Sequence, residues 1–420
     1  MSQGKLDTLL GDYRVLDLSD EKGVLCTKLL ADFGADVIKV EPPGGDPMRF
    51  IGPFYKDIPD PEKSLYWFTF NTNKRSITLD ITKRDGQEIF KRLVKTAHFL
   101  VECFEPGYMD RLGLGYEELE KINPGLVMTS ISNFGATGPY AHWKATDIVA
   151  TAMGGLQFLM GDRERPPVRG ITQLAYAEAN SQASAGTMIA HWWRLKTGEG
   201  QHVDVSMQEC VANSLDTAQQ TWDMMKFIYQ RGGGARYVGW RLISCVHACK
   251  DGYVSTWSPE EVPTLLEWME EKGAIDPEAK KKVRKMWDDA EAAGQTLSQF
   301  LTQEQLDEWR ARRIPFLKSM TKDEIYAGAI ERHFGWGPCN TPRNLLTSPQ
   351  LAAREYFVNV PHPELHDTLS YAGAPFRLSE TPFRIRRRPP LIGEHNQEVY
   401  EGELGLSKEE LTFLKSIKVI

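Results

Sequence analysis

Short apolar runs alternate along this chain with stretches whose apolar residues recur every three or four positions. Residues 14–18 form one such run and predict a buried strand. Residues 22–33 place Leu25, Leu29, Leu30 and Phe33 at helical spacing, and Gly34 supplies a stop. Residues 36–40 form a second strand, closed by Glu41-Pro-Pro-Gly-Gly45. Strand, helix and strand in that order predict a βαβ unit with parallel strands. Further strands are expected at 77–80, 98–102 and 125–132, with helices at 87–97 and 147–155. The strand at 125–132 runs into Asn133-Phe-Gly-Ala-Thr-Gly-Pro-Tyr140, the kind of loop that carries sites at the carboxyl ends of parallel strands. An α/β fold with a parallel sheet follows.

The centre of the chain has a different texture. Residues 174–194 predict a helix whose first half is almost all small: Ala175, Ala177, Ala179, Ser181, Ala183, Ser184, Ala185 and Gly186. Small residues on every side suit a helix enclosed on several faces. Glu178 lies in its first turns, where helix amides favour a negative charge. It is either a nucleophile or base, or a solvated residue that helps the helix start. A helical segment is expected from 207 to about residue 230, ended by Gly232, Gly233 and Gly234, which read as a lid or as a linker. From 259 to 327 the chain becomes charged and helical, over 262–272, 277–292 and 297–310, as a separate, smaller domain would. Residues 347–355 return to helix and 361–383 to strands and turns, and 384–388 are the most basic run of the chain. A helix at 409–417 closes it.

Composition narrows the classes. The 420 residues are 41% hydrophobic and 25% charged, enough for a large core. A net charge of -7 argues against a general nucleic-acid binder. The first ten residues carry no signal-peptide pattern, and the most apolar run, 148–160, is too short for a bilayer span, so a soluble cytoplasmic protein is expected, with no membrane partner. Six cysteines in so long a chain do not form a disulfide framework. Cys245, His247 and Cys249 alternate and would share one strand face, but no second ligand cluster follows, and no metal site is expected. Glu41, acidic at a second strand's end, has the position of a ribose-binding residue. The first turn, Ser19-Asp-Glu-Lys-Gly23, nevertheless lacks the Gly-x-Gly-x-x-Gly that NAD or FAD would need. Lys74 and Arg75, on a turn with Asn71, Thr72 and Asn73, either hold a phosphate or form an ordinary exposed turn.

Seven segments, in order, resemble the class III CoA-transferases, the superfamily of formyl-CoA transferase, carnitine CoA-transferase and 2-methylacyl-CoA racemase. They are Val15-Leu-Asp-Leu18, the run from Leu30 to Asp46, Asn73-Lys-Arg-Ser76, Gly107 with Leu112-Gly-Leu-Gly115, Ser132 to Tyr140, Gly198-Glu-Gly-Gln-His-Val-Asp-Val-Ser206, and Pro389-Pro-Leu-Ile-Gly-Glu-His395. The resemblance implies a Rossmann-like large domain built from both chain ends (1–225 and 331–420), a small domain at 226–330, and two interlocked subunits. No permanent cofactor is implied; a CoA thioester is a substrate. The implied CoA-contacting positions are Glu41, Asn73, Lys74, Arg75, Ala136 beside Gly135, and the loop Gly232, Gly233 and Gly234.

The family's chemistry is a carboxylate that attacks an acyl-CoA thioester, forming a mixed anhydride and releasing CoA thiolate, which is then recaptured as the acyl group is exchanged for an acceptor acid. The usual aspartate lies about two dozen residues ahead of the Gly-Gln motif. Counting back from Gln201 reaches Tyr176 and its neighbours; the stretch 169–201 holds no aspartate, and Glu178 is the nearest carboxylate. The family's Phe-Arg-Pro-Gly is here Phe104-Glu-Pro-Gly107, whose Glu105 would repel a CoA phosphate. Two readings stay open. Either Glu178 substitutes for the nucleophile, or the chain is a silent subunit paired with an aspartate-bearing homologue. The second is the arrangement of two-subunit enzymes of anaerobic aromatic degradation such as succinyl-CoA:benzylsuccinate CoA-transferase. The expected activity is CoA transfer from an acyl-CoA such as succinyl-CoA to an organic acid, in a heteromer or a homodimer. A racemase, the alternative, would need an acid/base pair that is not recognisable here.

Overall fold

The computed structural model describes residues 8–238, 241–257 and 262–420. The chain divides into two compact units. The first comprises residues 1–157, 169–219 and 349–420, and the second residues 158–168 and 220–348.

The first unit is built on a six-stranded sheet: β1 (Arg14–Leu18), β2 (Asp36–Glu41), β3 (Lys74–Thr78), β4 (Phe99–Glu102), β5 (Val127–Ser132) and β6 (Gln201–Ser206). All pairs are parallel, in the order β3-β2-β1-β4-β5-β6. That order reverses direction between β1 and β4, the switch point where open α/β sheets leave a crevice at their carboxyl ends. The strands read as near-continuous apolar runs because both faces are covered. One face packs against α2 (Arg84–Val94) and the closing segment around Val399, Tyr400 and Leu414; the other packs against α1 (Val24–Asp32) and α4 (Leu174–Thr197). A shorter helix, α3 (Asp147–Met153), lies between β5 and α4 in the chain.

Gly23 sets the β1–α1 turn. A Cβ there would lie 2.2 Å from the Cys103 Sγ, so only glycine lets the turn approach the end of β4.

The pattern reading departs from the structure at β3. Lys74 and Arg75 were expected on a turn, but both lie inside the strand and are buried. Burial of such cations is tolerable only where carboxylates meet them, and both are met. Lys74 Nζ sits 2.9 Å from Asp17 Oδ2, and Arg75 grips Asp36 with Nε and Nη2 at 2.8 and 2.6 Å.

α4 departs as well. Its buried residues form one stripe (Ala175, Tyr176, Ala179, Asn180, Ala183, Thr187, Ala190 and His191), while Ile189, Trp192, Trp193 and Leu195 are exposed by 72, 62, 50 and 56%. Within this chain the helix is therefore enclosed on one side. The helix expected after Ser206 is two short ones, Met207–Asn213 and Ala218–Met225, separated by Asp216 at φ 54.

In the second unit, β7 (Val246–Cys249), β8 (Gly252–Trp257) and β9 (Gly335–Pro338) form an antiparallel sheet in the order β9-β8-β7. Helices α5 (Val262–Glu271), α6 (Pro277–Ala292), α7 (Gln303–Lys318) and α8 (Lys322–Glu331) surround a core holding Trp268, Trp309, Phe316 and Trp336. The helix expected at 297–310 breaks because Thr302 and Gln305 form a capping box that starts α7 afresh. Among the described residues, no helix is long and apolar enough to cross a membrane.

Candidate functional site

The sequence-predicted cation pair belongs to the frame of the first unit. Asp17, wholly buried, receives Lys74 at 2.9 Å and lies 3.7 Å from Lys39, which also meets Asp46 at 2.9 Å. Burial alone would raise the Asp17 carboxyl, but Lys39 and Lys74 hold it well below the usual range. Burial brings the Lys74 ammonium down to about 8 against the pull of Asp17. Glu41 is equally committed: Arg49 donates Nε to its Oε2 at 2.6 Å and Nη2 to its Oε1 at 2.8 Å, while stacking 3.7 Å above the Trp67 ring.

Asn73, at φ 64, splices the basic run onto this edge. Its Nδ2 donates to the Asp32 carboxylate and the Arg384 carbonyl, and its Oδ1 accepts from the amides of Arg386 and Arg387. Arg75 reaches Glu398 at 2.8 Å and Glu403 at 2.5 Å. The structure thus brings Glu41, Asn73, Lys74 and Arg75 together as a clasp between the two chain ends. Their charges face partners inside the protein.

The open space lies at the switch point. A cleft of about 840 Å³ is lined from the β1–α1 turn by Asp20 and Lys22, from the end of β4 by Cys103 to Pro106, Tyr108 and Arg111, and from the end of β5 by Ser132 and Asn133. Residues 141–146 and Val149 close it. Lys22, Arg111, His142 and Lys144 supply cationic or basic groups, Phe104, Tyr108 and Trp143 supply ring faces, and Asp20 and Glu105 oppose with negative charge. Lys144 stands 3.9 Å from Glu105 and partly offsets it. Ser132 Oγ and Asn133 Oδ1 are buried here without a hydrogen-bond partner. The Cys103 thiol is pushed well above its ordinary value by burial, which leaves it unreactive.

A smaller cavity of about 290 Å³ adjoins the same strand ends, sharing Phe104, Glu105, Pro106 and Ser132 with the cleft; Ala136 lines it, beside Gly135. The Ala136 amide donates to Asp204 Oδ2 at 2.9 Å. Glu102 also lines this cavity, and burial raises its carboxyl to about 7 against the hydrogen bonds of Ser130 and the Phe104 amide. Ser130 in turn pairs with His202 Nε2 at 2.8 Å. No motif marked Glu102, because its environment comes from β5 and β6, which are distant in sequence.

At the start of α4 the structure adds a carboxylate that sequence reading missed. No side chain of α4 caps its N-terminus. Asp147 of α3 is buried there and accepts from the Tyr176 amide at 3.3 Å. Burial raises its carboxyl, and the amides of Tyr176 and Ala175 pull it back down. Tyr176, in the stretch where the resemblance places an aspartate, is buried, and burial with the Glu21 charge pushes its phenol up to about 12. Glu178 is half-buried near Cys210, makes no hydrogen bond or ion pair among the described residues, and is not among the residues lining the cleft.

Gly232, Gly233 and Gly234 belong to the second unit. The Gly233 amide donates to the Gly161 carbonyl at 2.8 Å and the Gly234 carbonyl accepts from the Cys245 and Val246 amides, so the loop is tied down.

Comparison with known proteins identifies the family. The chain is 34% identical to the BbsE subunit of succinyl-CoA:(R)-benzylsuccinate CoA-transferase from Thauera aromatica, with 92% of each chain covered. It is 34% identical to formyl-CoA:oxalate CoA-transferase of Streptomyces avermitilis, covering 98% of this chain and 99% of the relative. Among solved structures, a CAIB/BAIF family protein from Brucella suis superimposes with a TM-score of 0.76 at 26% identity, covering 94% of this chain and 99% of that one. The model of CoA-transferase family III matches residues 10–396, and the chain belongs to that family.

Proposed function

We propose that this chain is one subunit of a CoA-transferase that moves CoA from an acyl-CoA such as succinyl-CoA to an organic acid, an aromatic dicarboxylate being one candidate, and that its partner is an aspartate-bearing homologue. The observation that carries this reading is the start of α4. In the stretch where the resemblance places the nucleophile, around Tyr176, the chain has no aspartate, and Tyr176 itself is buried with its phenol pushed up. The carboxylate that does reach those amides, Asp147, is spent as a cap. Relatives named as subunits support a heteromer: BbsE, and the alpha and beta subunits of succinyl-CoA--L-malate CoA-transferase from Chloroflexus aurantiacus.

The acyl-CoA would lie in the switch-point cleft. Its volume suits a ligand of that size. Lys22, Arg111 and Lys144 would meet phosphates, and Trp143, Phe104 and Tyr108 would stack on a base. The exposed apolar flank of α4 is the surface a second chain would cover.

One observation favours a second reading. Glu178 is half-buried and makes no hydrogen bond or ion pair among the described residues, so its carboxylate would be available to attack a thioester. A single experiment separates the two. The chain, alone and with co-purified partner, is incubated with succinyl-CoA and hydroxylamine, and the peptides are read by mass spectrometry. The subunit reading expects no hydroxamate on this chain and one on an aspartate of the partner. A hydroxamate on Glu178 overturns it in favour of the second.

A further inference from the structure

One face of the second unit's sheet gathers buried polar atoms that no described residue satisfies. His247 stands directly across from Val254, and Trp336 from Thr256, so all four side chains share that face. The Thr256 amide donates to the Cys245 carbonyl at 2.6 Å, which places Cys245 in the same row. α7 packs on β7 and carries Arg310 and Arg313, whose charges act on His247 and Cys245.

Exposure here is 7% for His247, 4% for Thr256, 9% for Arg313 and 4% for Trp336. His247 Nε2, Thr256 Oγ1, Arg313 Nε and Trp336 Nε1 are all buried with no hydrogen-bond partner among the described residues. Arg310 reaches Asp307 at 3.0 Å. The charged neighbours acting on Arg313 are Arg310 and the Cys245 thiol, and no carboxylate among the described residues is one of them. Burial brings the Arg313 guanidinium down to about 10, so it stays a cation at neutral pH.

Arginine and tryptophan N–H groups only donate, and threonine can donate, whereas the neutral His247 ring gives its one N–H to the Ser244 carbonyl and leaves Nε2 as an acceptor. A buried donor without an acceptor is costly, and a buried cation without a counter-charge costs more. Water can satisfy the neutral donors but does not neutralise Arg313. A small oxyanion does both, since it presents acceptor oxygens in several directions and carries the missing charge.

We propose that the second unit contains a buried site for a small oxyanion, held by the Arg313 guanidinium beside Arg310 and by the Thr256 hydroxyl and the Trp336 indole N–H. Inorganic phosphate and a short dicarboxylate share the required chemistry. The site stands independently of the CoA-transferase reading above.

The test uses the full chain. Sodium phosphate and sodium succinate are titrated separately by calorimetry and by thermal melting, with sodium chloride at matched ionic strength as reference. The expected result is saturable binding of one anion per chain with a rise in melting temperature, and the arm that saturates identifies the anion. Arg313→Met should weaken that binding at least tenfold, and Thr256→Val should weaken it several-fold. Without added anion, Arg313→Met should melt at or above wild type, since it removes an uncompensated buried cation. The proposal is overturned by a response that sodium chloride reproduces, by Arg313→Met retaining wild-type affinity, or by Arg313→Met melting below wild type in the absence of anion.

Discussion

Two groups of buried cations in this protein have opposite surroundings. In the first unit, Lys39, Arg49, Lys74 and Arg75 each meet a carboxylate: Asp46, Glu41, Asp17 and Asp36. In the second unit, Arg313 is also buried and meets none among the described residues. A matched buried charge is a part of the frame, because its partner removes any need for a ligand. An unmatched one marks where a ligand completes the structure. The distinction inverts the expectation raised by Asn73-Lys-Arg-Ser76, whose cations looked available for phosphate and are occupied within the fold.

The most severe way to break the matched group is Asp17→Asn, which takes the shared carboxylate from Lys39 and Lys74. Lys39 keeps Asp46, but leaving buried Lys74 uncompensated should cost about 3–5 kcal/mol, read as a shift of the urea midpoint. Asp17→Asn with Lys74→Met should recover more than half of that loss; no recovery would mean that the ion pair is not the source. Next comes Glu102, neither matched nor ionised without cost. Its folded carboxyl is raised from 4.5 to about 7, so the folded state holds the proton more tightly. Its contribution is fully present below about pH 4.5 and is lost as pH rises toward 7, by about 3 kcal/mol in all. Glu102→Gln should flatten that slope in denaturation curves taken from pH 5 to 8, and an unchanged slope would assign the titration to another group. Gly23→Ala should cost about 1–3 kcal/mol through the clash with Cys103. Adding Cys103→Ala should restore most of it in thermal melts, since the added methyl then has room. The smallest effect on stability is expected for Trp193→Glu on the exposed flank of α4. It should leave the isolated chain within about 0.5 kcal/mol of wild type and yet shift sedimentation toward the single chain. Unchanged assembly would remove this face from the partner surface.

The alternation of apolar runs and helical spacing along the chain was enough to establish the βαβ order, β1, β2, β4 and β5, and the small-residue helix. These are local signals, carried by side-chain periodicity. The ordered set of weak motifs carried the family, because together they span most of the chain. Other features depended on partners far away in sequence. Lys74 and Arg75 read as turn cations until the sheet places Asp36 on the neighbouring strand and Asp17 one strand further on. The cap on α4 comes from Asp147, outside the stretch searched for a carboxylate. The alternation of Cys245, His247 and Cys249 was legible as a shared face. Arg313, which defines that face's chemistry, arrives on α7 from a segment read as a wet helical surface. Periodicity states which side of an element is apolar. Burial, and the match between a charge and its counter-charge, arise only when distant elements pack, so tertiary structure decided which charged residues build the frame and which one is left to bind.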